Sequence, residues 1–475
     1  RSTALTLTGS LSQACTVTFA PNTISNVWVV QNSAGNTVTI SQGTGANVVI
    51  PNGGIRMIAT DGAGSGAAVT DVLDVLGGTG NVGLGSGAFG TGLTTGTDNV
   101  AIGENAGDAL TSGSDNTFVG DNAGGAATTG NNNIAIGSGA LDLEDAGTDS
   151  VAIGHNALTT QNADGANHNV AVGSSAGGAI TTATQSTLVG GLSGDALTDG
   201  AANTAFGFET LTADTKGNNA VAIGHHALST QNFTTTTANY NVAVGSQAGL
   251  SVTTGIFNTI VGGLSGDALT EGTRNVAIGK DALTTDTLGS RSVAVGFAAL
   301  YTQNFTTATD VYNVAVGEQA GLNVTTGKSN TLVGGLAGDA VTDGELNTYV
   351  GSNAGSASTS ASSNTALGAY AFDAGTGATN TAVGAGALGG ASNSAANNVA
   401  VGKDAGNTIS TGTENTLVGT TAGDAISSGS NNTALGYDAL STASTASSNT
   451  AIGSHALQDV TGASNTAVGH NALKE

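Results

Sequence analysis

The chain has 475 residues, with 76 glycines, two prolines and 39% hydrophobic residues, which excludes collagen and Pro-rich linkers and is too apolar for a disordered acidic chain. A formal net charge of -24 argues against binding nucleic acid or an anionic membrane through a basic surface. Cys15 is the only cysteine, so no intrachain disulfide is possible, and no apolar run is long enough to span a bilayer as a helix.

No signal peptide is expected in the first residues of this sequence. It begins at Arg1 without Met and stops at Glu475 just after a repeat phrase, so both ends are expected to be cut from a longer protein. Residues 1–76 read as a small all-β module that holds the only Trp, the only Met and both prolines. Its expected strands are Leu5-Thr6-Leu7, Thr16-Val17-Thr18-Phe19, Val27-Trp28-Val29-Val30, Thr37-Val38-Thr39-Ile40, Val48-Val49-Ile50 and Ile55-Arg56-Met57-Ile58. Pro21-Asn22, Gly35-Asn36 and Pro51-Asn52-Gly53-Gly54 punctuate them as turns.

From residue 77 to residue 475 one phrase recurs, as in Asn99-Val100-Ala101-Ile102-Gly103 and Asn116-Thr117-Phe118-Val119-Gly120. There are 23 copies, and their glycines are most often 17 residues apart. A fixed period of this length predicts a stacked repeat, here a parallel β-roll or β-solenoid with one phrase per coil. Numbering from the closing glycine, position −1 is always apolar and −3 is Val, Thr or Ile in nearly every coil, so both lie on one strand face. Position −2 lies on the other face and is usually Ala. A strand apolar on both faces needs cover on both: the coil's own interior for one, and its return segment or another chain for the other.

Position +4 is either Gly or a large apolar residue such as Leu158, Leu211, Leu228 or Leu283. Where −2 is bulky (Phe118, Leu188, Ile260, Leu332, Tyr349, Leu417), +4 is Gly (Gly124, Gly194, Gly266, Gly338, Gly355, Gly423). The two positions are therefore expected to compete for one volume, with the segment after the glycine folded back over the −2 face. Position −4 is Asn in most coils, with Ser150, Ser186, Ala220 and Ser292 as exceptions after the first coil, which predicts a hydrogen-bonded Asn ladder. The regular spacing stretches after Gly154, Gly224 and Gly296, where Thr160-Gln161-Asn162, Thr230-Gln231-Asn232-Phe233 and Thr302-Gln303-Asn304-Phe305 open longer loops. This gives a four-coil super-repeat of about 72 residues within 154–368, with one bulging loop per unit. At roughly 4.8 Å per coil the loops are expected every 19 Å or so along a roll on the order of 110 Å long.

The phrase Ser150-Val151-Ala152-Ile153-Gly154 resembles the head repeat of trimeric autotransporter adhesins, and the longer Asn-Thr-Ala-Val-Gly form resembles repeats of bacteriophage tail-fibre proteins. Residues 1–76 are similar to small β modules that precede fibre shafts in marine phages. The resemblance implies left-handed parallel β-rolls in an intertwined or side-by-side homotrimer. It implies a non-enzymatic shaft on a virion, joined to other fibre or virion proteins at both ends and presenting an element that attaches to a host cell-surface glycan or protein. A bacterial surface adhesin head is the alternative, and neither implies nucleic-acid binding or membrane insertion.

Catalytic and metal-binding patterns are sparse. His155, His225 and His470 follow a phrase glycine, while His168, His226 and His455 are scattered, and none has Cys or carboxylate at ligand spacing. Asp195 and Asp267, with Asp339 in a near copy, suggest calcium, but the calcium-roll nonapeptide does not fit, so no resident cofactor is expected. A polysaccharide-cleaving tailspike would need paired carboxylates at a groove, whereas the acids here are spread over turns. Thr pairs such as Thr128-Thr129 precede corner glycines, which weakens an ice-binding reading. The loop aromatics Phe233, Tyr240, Phe305 and Tyr312 are the candidate contacts to a glycan or protein partner.

Overall fold

The computed structural model describes residues 4–71, 80–90, 93–390 and 393–474. It is an all-β chain of stacked parallel coils preceded by a small sheet module, and among the described residues the only helix is the 3-10 turn Gly64–Gly66. Two compact units, 1–188 and 189–475, divide the chain. The expected boundary between 76 and 77 lies outside the described residues.

All six strands expected in the opening module form: β1 (Ala4–Thr8), β2 (Cys15–Thr18), β3 (Ser25–Ser33), β4 (Val38–Ser41), β5 (Val48–Ile50) and β6 (Ile55–Asp61). A seventh, β7 (Val69–Asp71), was not legible because its Ala67-Ala68-Val69-Thr70 run is too short to alternate. β1 pairs parallel with β3, which pairs antiparallel with β6, and β6 with β7. β2, β4 and β5 form a second sheet. Val30, Val38, Ile40, Ile50 and Ile58 supply the core between them, because alternate residues of each strand face inward.

Each repeat phrase is a three-residue strand in register with its counterpart one coil away. In the first unit Val82–Leu84 pairs with Val100–Ile102, Phe118 stands against Ala101, and Ala135 against Phe118. In the second unit the same ladder runs from Thr204–Phe206 to Thr466–Val468. The coil encloses the −2 residue: Ala101, Phe118, Ala135, Ala222 and Ile260 are fully buried. The −1 and −3 residues point outward, leaving Ile102 37% and Phe206 57% exposed. Cover therefore exists on one strand face only, and it comes from the coil's own return segment. That segment contributes buried alanines at +3 (Ala106, Ala123, Ala227), the large residue at +4, and at +7 Leu110, Ile180, Val252 or Leu269.

Position +4 sits in the left-handed region, with φ of 61° at Gly124, 50° at Leu158 and 53° at Leu211. Glycine adopts it freely, whereas a leucine costs roughly 1–2 kcal/mol there, offset by the roughly 1.5–3 kcal/mol of burying its side chain. This is why the position alternates between Gly and a large residue and avoids intermediate ones. The expected competition is seen directly: a Cβ on Gly124 would lie 2.6 Å from Phe118 Cε1, and one on Gly423 would lie 2.8 Å from Leu417 Cδ2. Where both positions of a coil are small, adjacent coils fill the space, as Leu228 and Ile260 do around Gly249. The closing glycines have a different cause. Gly103 has φ 139°, and a Cβ there would meet the Gly120 carbonyl oxygen at 2.3 Å.

The Asn ladder also forms. The backbone N–H of Asn116 donates to Asn99 Oδ1 at 3.0 Å, and its Nδ2 donates to that oxygen at 3.0 Å and to the Gly130 carbonyl at 2.9 Å. The pattern repeats in the second unit from Asn313 through Asn330 and Asn347 to Asn364. Every buried polar atom of such an amide has a partner, so the corner is satisfied.

Candidate functional site

The three super-repeat loops rest on buried carboxylates. In the coils with Leu141, Leu211 and Leu283 at +4, position +7 is an acid, Glu144, Asp214 and Asp286, each followed one coil later by Gln161, Gln231 and Gln303, all fully buried. Gln231 Nε2 donates to Asp214 Oδ2 at 2.6 Å, Gln303 Nε2 to Asp286 Oδ2 at 2.5 Å, and Gln161 Nε2 to Glu144 Oε2 at 2.7 Å. The Gln carbonyls in turn accept from Asn241, Asn313 and Asn169, which belong to the Asn ladder. This explains three of the four ladder exceptions. Ser150, Ala220 and Ser292 are small because Gln161, Gln231 and Gln303 of the same coils occupy the space an Asn side chain would fill. Ser150 and Ser292 also accept a hydrogen bond from their Gln at 3.0 Å.

The carboxylates fold the loops inward. Asp214 Oδ1 accepts from the backbone N–H groups of Gly217 and Phe233, both at 3.0 Å, and Asp286 Oδ1 accepts from Phe305 at 3.0 Å and Gly289 at 3.1 Å. Burial pushes both carboxyls above the usual carboxylate range, against the opposing pull of these hydrogen bonds. Two-residue parallel ladders then pin each loop: Gly217–Asn218 with Thr237–Ala238, and Gly289–Ser290 with Thr309–Asp310. In the first unit Gly147–Thr148 pairs with Gly165–Ala166 in the same way.

The four candidate aromatics separate into two kinds. Phe233 and Phe305 are only 6% and 7% exposed, so the expectation that they reach outward is corrected: their backbone N–H groups are drawn to Asp214 and Asp286, and the rings plug the loop base. Tyr240 and Tyr312 are 55% and 50% exposed. They occupy position −5, just before the Asn corner, where the left-handed backbone (φ 49° and 58°) turns the side chain away from the coil. Three −5 residues lie between them in the stack: Phe257, Arg274 and Arg291. Tyr240 stacks on Phe257 with centroids 5.9 Å apart at 11°. Arg274 Cζ stands 5.6 Å from the Phe257 ring centre and Arg291 Cζ 5.4 Å from that of Tyr312. Arg291 Nη1 also donates to Tyr312 Oη at 3.0 Å, and its Nε lies 2.9 Å from Asp310 Oδ1.

No family model and no curated protein matches this chain. Its chemistry is therefore read from the geometry alone. Among the described residues no group of three or more His, Cys, Asp or Glu side chains is placed to hold a metal ion. Asp195 and Asp267, the suspected calcium ligands, accept hydrogen bonds from Thr212 and Thr284 of the following coil. His226 pairs with Glu209 at 3.3 Å and His455 with Asp438 at 3.5 Å, each bridging neighbouring coils. In the opening module Phe19 and Trp28, 5.1 Å apart, line a cavity of about 250 Å³ with Pro21, Ile24, Gln42 and Thr60. Among the described residues no helix is long and apolar enough to cross a membrane.

Proposed function

We propose that this chain is a non-enzymatic structural shaft of a phage fibre, built from three copies packed side by side, that holds a host-attachment element away from the virion. The observation that carries this reading is the uncovered outer strand face. Within the second unit it presents Ile223, Ile278, Val399 and Leu435 at 36% to 47% exposure, with Phe206, Leu367 and Val468 more exposed still. One apolar row per coil, repeated over consecutive strands, is far more than scattered surface leucines, and such a stripe marks a protein interface. Each coil closes its own core, so the copies need not intertwine. The buried acids support the absence of catalysis, since Asp214 and Asp286 spend their lone pairs on Gln and backbone partners inside the coil. The repeat phrase supports the fibre context through its likeness to tail-fibre repeats.

Light scattering on the purified chain tests the reading. A particle of three times the 45.3 kDa chain mass is expected. A monomer would overturn it.

A further inference from the structure

We propose that the −5 column Tyr240, Phe257, Arg274, Arg291 and Tyr312 is a binding site for an acidic oligosaccharide. The inference goes beyond the shaft reading, and the two fail separately, because one concerns mass and the other a ligand.

The column is built on rigid backbone. The Phe257, Arg274 and Arg291 N–H groups donate to the Asn239, Ile256 and Thr273 carbonyls of the preceding coils at 2.8, 3.0 and 2.9 Å. The side chains therefore stand at the coil spacing, and the five cover about 19 Å from end to end. Two flat, exposed rings at one end and one at the other offer apolar faces suited to the C–H faces of sugar rings. Between them stand two of the chain's four arginines, in a protein with only nine Lys and Arg and a formal net charge of -24. Their roles differ. Arg291 is engaged with Asp310 and Tyr312, so it holds the Tyr312 ring in place. Arg274 is exposed, and its contact is the Phe257 ring face, which leaves the planar guanidinium edge for a bidentate bond to a carboxylate or sulfate. Aromatic platforms flanking a cation suit a sugar polymer that carries acid groups and disfavour a neutral one, which would leave the guanidinium without an anion.

The test measures binding of the full chain to immobilised polygalacturonate, dextran sulfate and neutral dextran at low salt. Retention on an acidic polymer and none on dextran is expected, with polygalacturonate against dextran sulfate telling carboxylate from sulfate recognition. Arg274→Gln and the double variant Tyr240→Ala, Phe257→Ala should each weaken binding at least tenfold with an unchanged circular dichroism spectrum. Lys280→Ala removes the same charge in the same coil beyond the other end of the strand and should leave binding as it was. Absence of binding by the wild-type chain would overturn the proposal, as would equal losses in Arg274→Gln and Lys280→Ala, or column variants that bind like wild type.

Discussion

Tyr349 occupies the space that a side chain at residue 355 would need: a Cβ on Gly355 would lie 2.4 Å from Tyr349 Cδ2. The ring is wholly buried, its hydroxyl is 3.0 Å from Ser358 Oγ, and burial pushes its ionisation up to about 12. Gly355→Ala therefore combines overpacking with a left-handed alanine and should cost about 2–4 kcal/mol. Adding Tyr349→Ala and placing Leu at 355 recreates the arrangement of Ala152 and Leu158 and should recover most of the loss. Denaturant midpoints of the single and paired variants measure it, and a pair no better than Gly355→Ala would refute the shared-volume account.

Asn330 links two coils through its whole amide. Its Nδ2 donates to the Gly344 carbonyl at 2.8 Å and its Oδ1 accepts from the Asn347 N–H at 3.0 Å. Asn330→Ala leaves both buried groups without that partner and should destabilise the second unit by about 2–4 kcal/mol. Amide hydrogen exchange at Asn347 should quicken well before exchange at distant coils changes. Uniform behaviour across all coils would contradict a local ladder.

Four aspartates of the second unit, Asp214, Asp286, Asp339 and Asp424, have carboxyls raised above the usual value of 3.8, burial being the largest cause in each. A raised folded-state pKa means the folded chain holds the proton more tightly than the unfolded one. The resulting stability is fully present below 3.8 and lost as pH rises through the raised values. These acids should thus make the second unit melt higher near pH 4 than at pH 7, the reverse of ordinary acid denaturation. The paired variant Asp214→Asn, Asp286→Asn should flatten the slope. It should also loosen both loops, because an amide donor would then face the Gln231 or Gln303 amide donor. Melting curves from pH 4 to pH 7 decide it.

Ile278 and Val295 lie on the outer face of adjacent strands and take no part in the coil interior. For the side-by-side trimer proposed above, Ile278→Asp with Val295→Asp should leave the circular dichroism of the single chain unchanged while reducing the particle from three chains to one. A trimer that persists would move the interface elsewhere on the coil.

Much of the fold was legible because a repeat shows the same physics many times. Phe118 with Gly124 and Leu158 with Ala152 state a volume rule that one copy could not, and the recurring Asn at −4 states the ladder. The buried polar triads were not read, although the signal was present: Gln161, Gln231 and Gln303 stand in the coils whose ladder position shrinks to Ser150, Ala220 and Ser292. Loop membership misled the reading of Phe233 and Phe305, since a polar loop looked exposed until Asp214 and Asp286 were seen beneath it. The aromatic and cationic column was hidden for a different reason. Its members are 17 or 21 residues apart in sequence and meet only when counted back from each glycine.

The Asn ladder has a direction. Each amide oxygen accepts from the coil that follows, as Asn99 does from Asn116 and Asn313 from Asn330, while the amide nitrogen of Asn116 or Asn330 donates both back to that oxygen and forward to the Gly130 or Gly344 carbonyl of the next turn. A finished coil thus leaves an Asn oxygen and one Asn amide hydrogen whose partners lie in the segment synthesised next. Growth from the N-terminal side meets a prepared docking edge at every step, so the order in which a ribosome releases the coils is the order in which they can be locked.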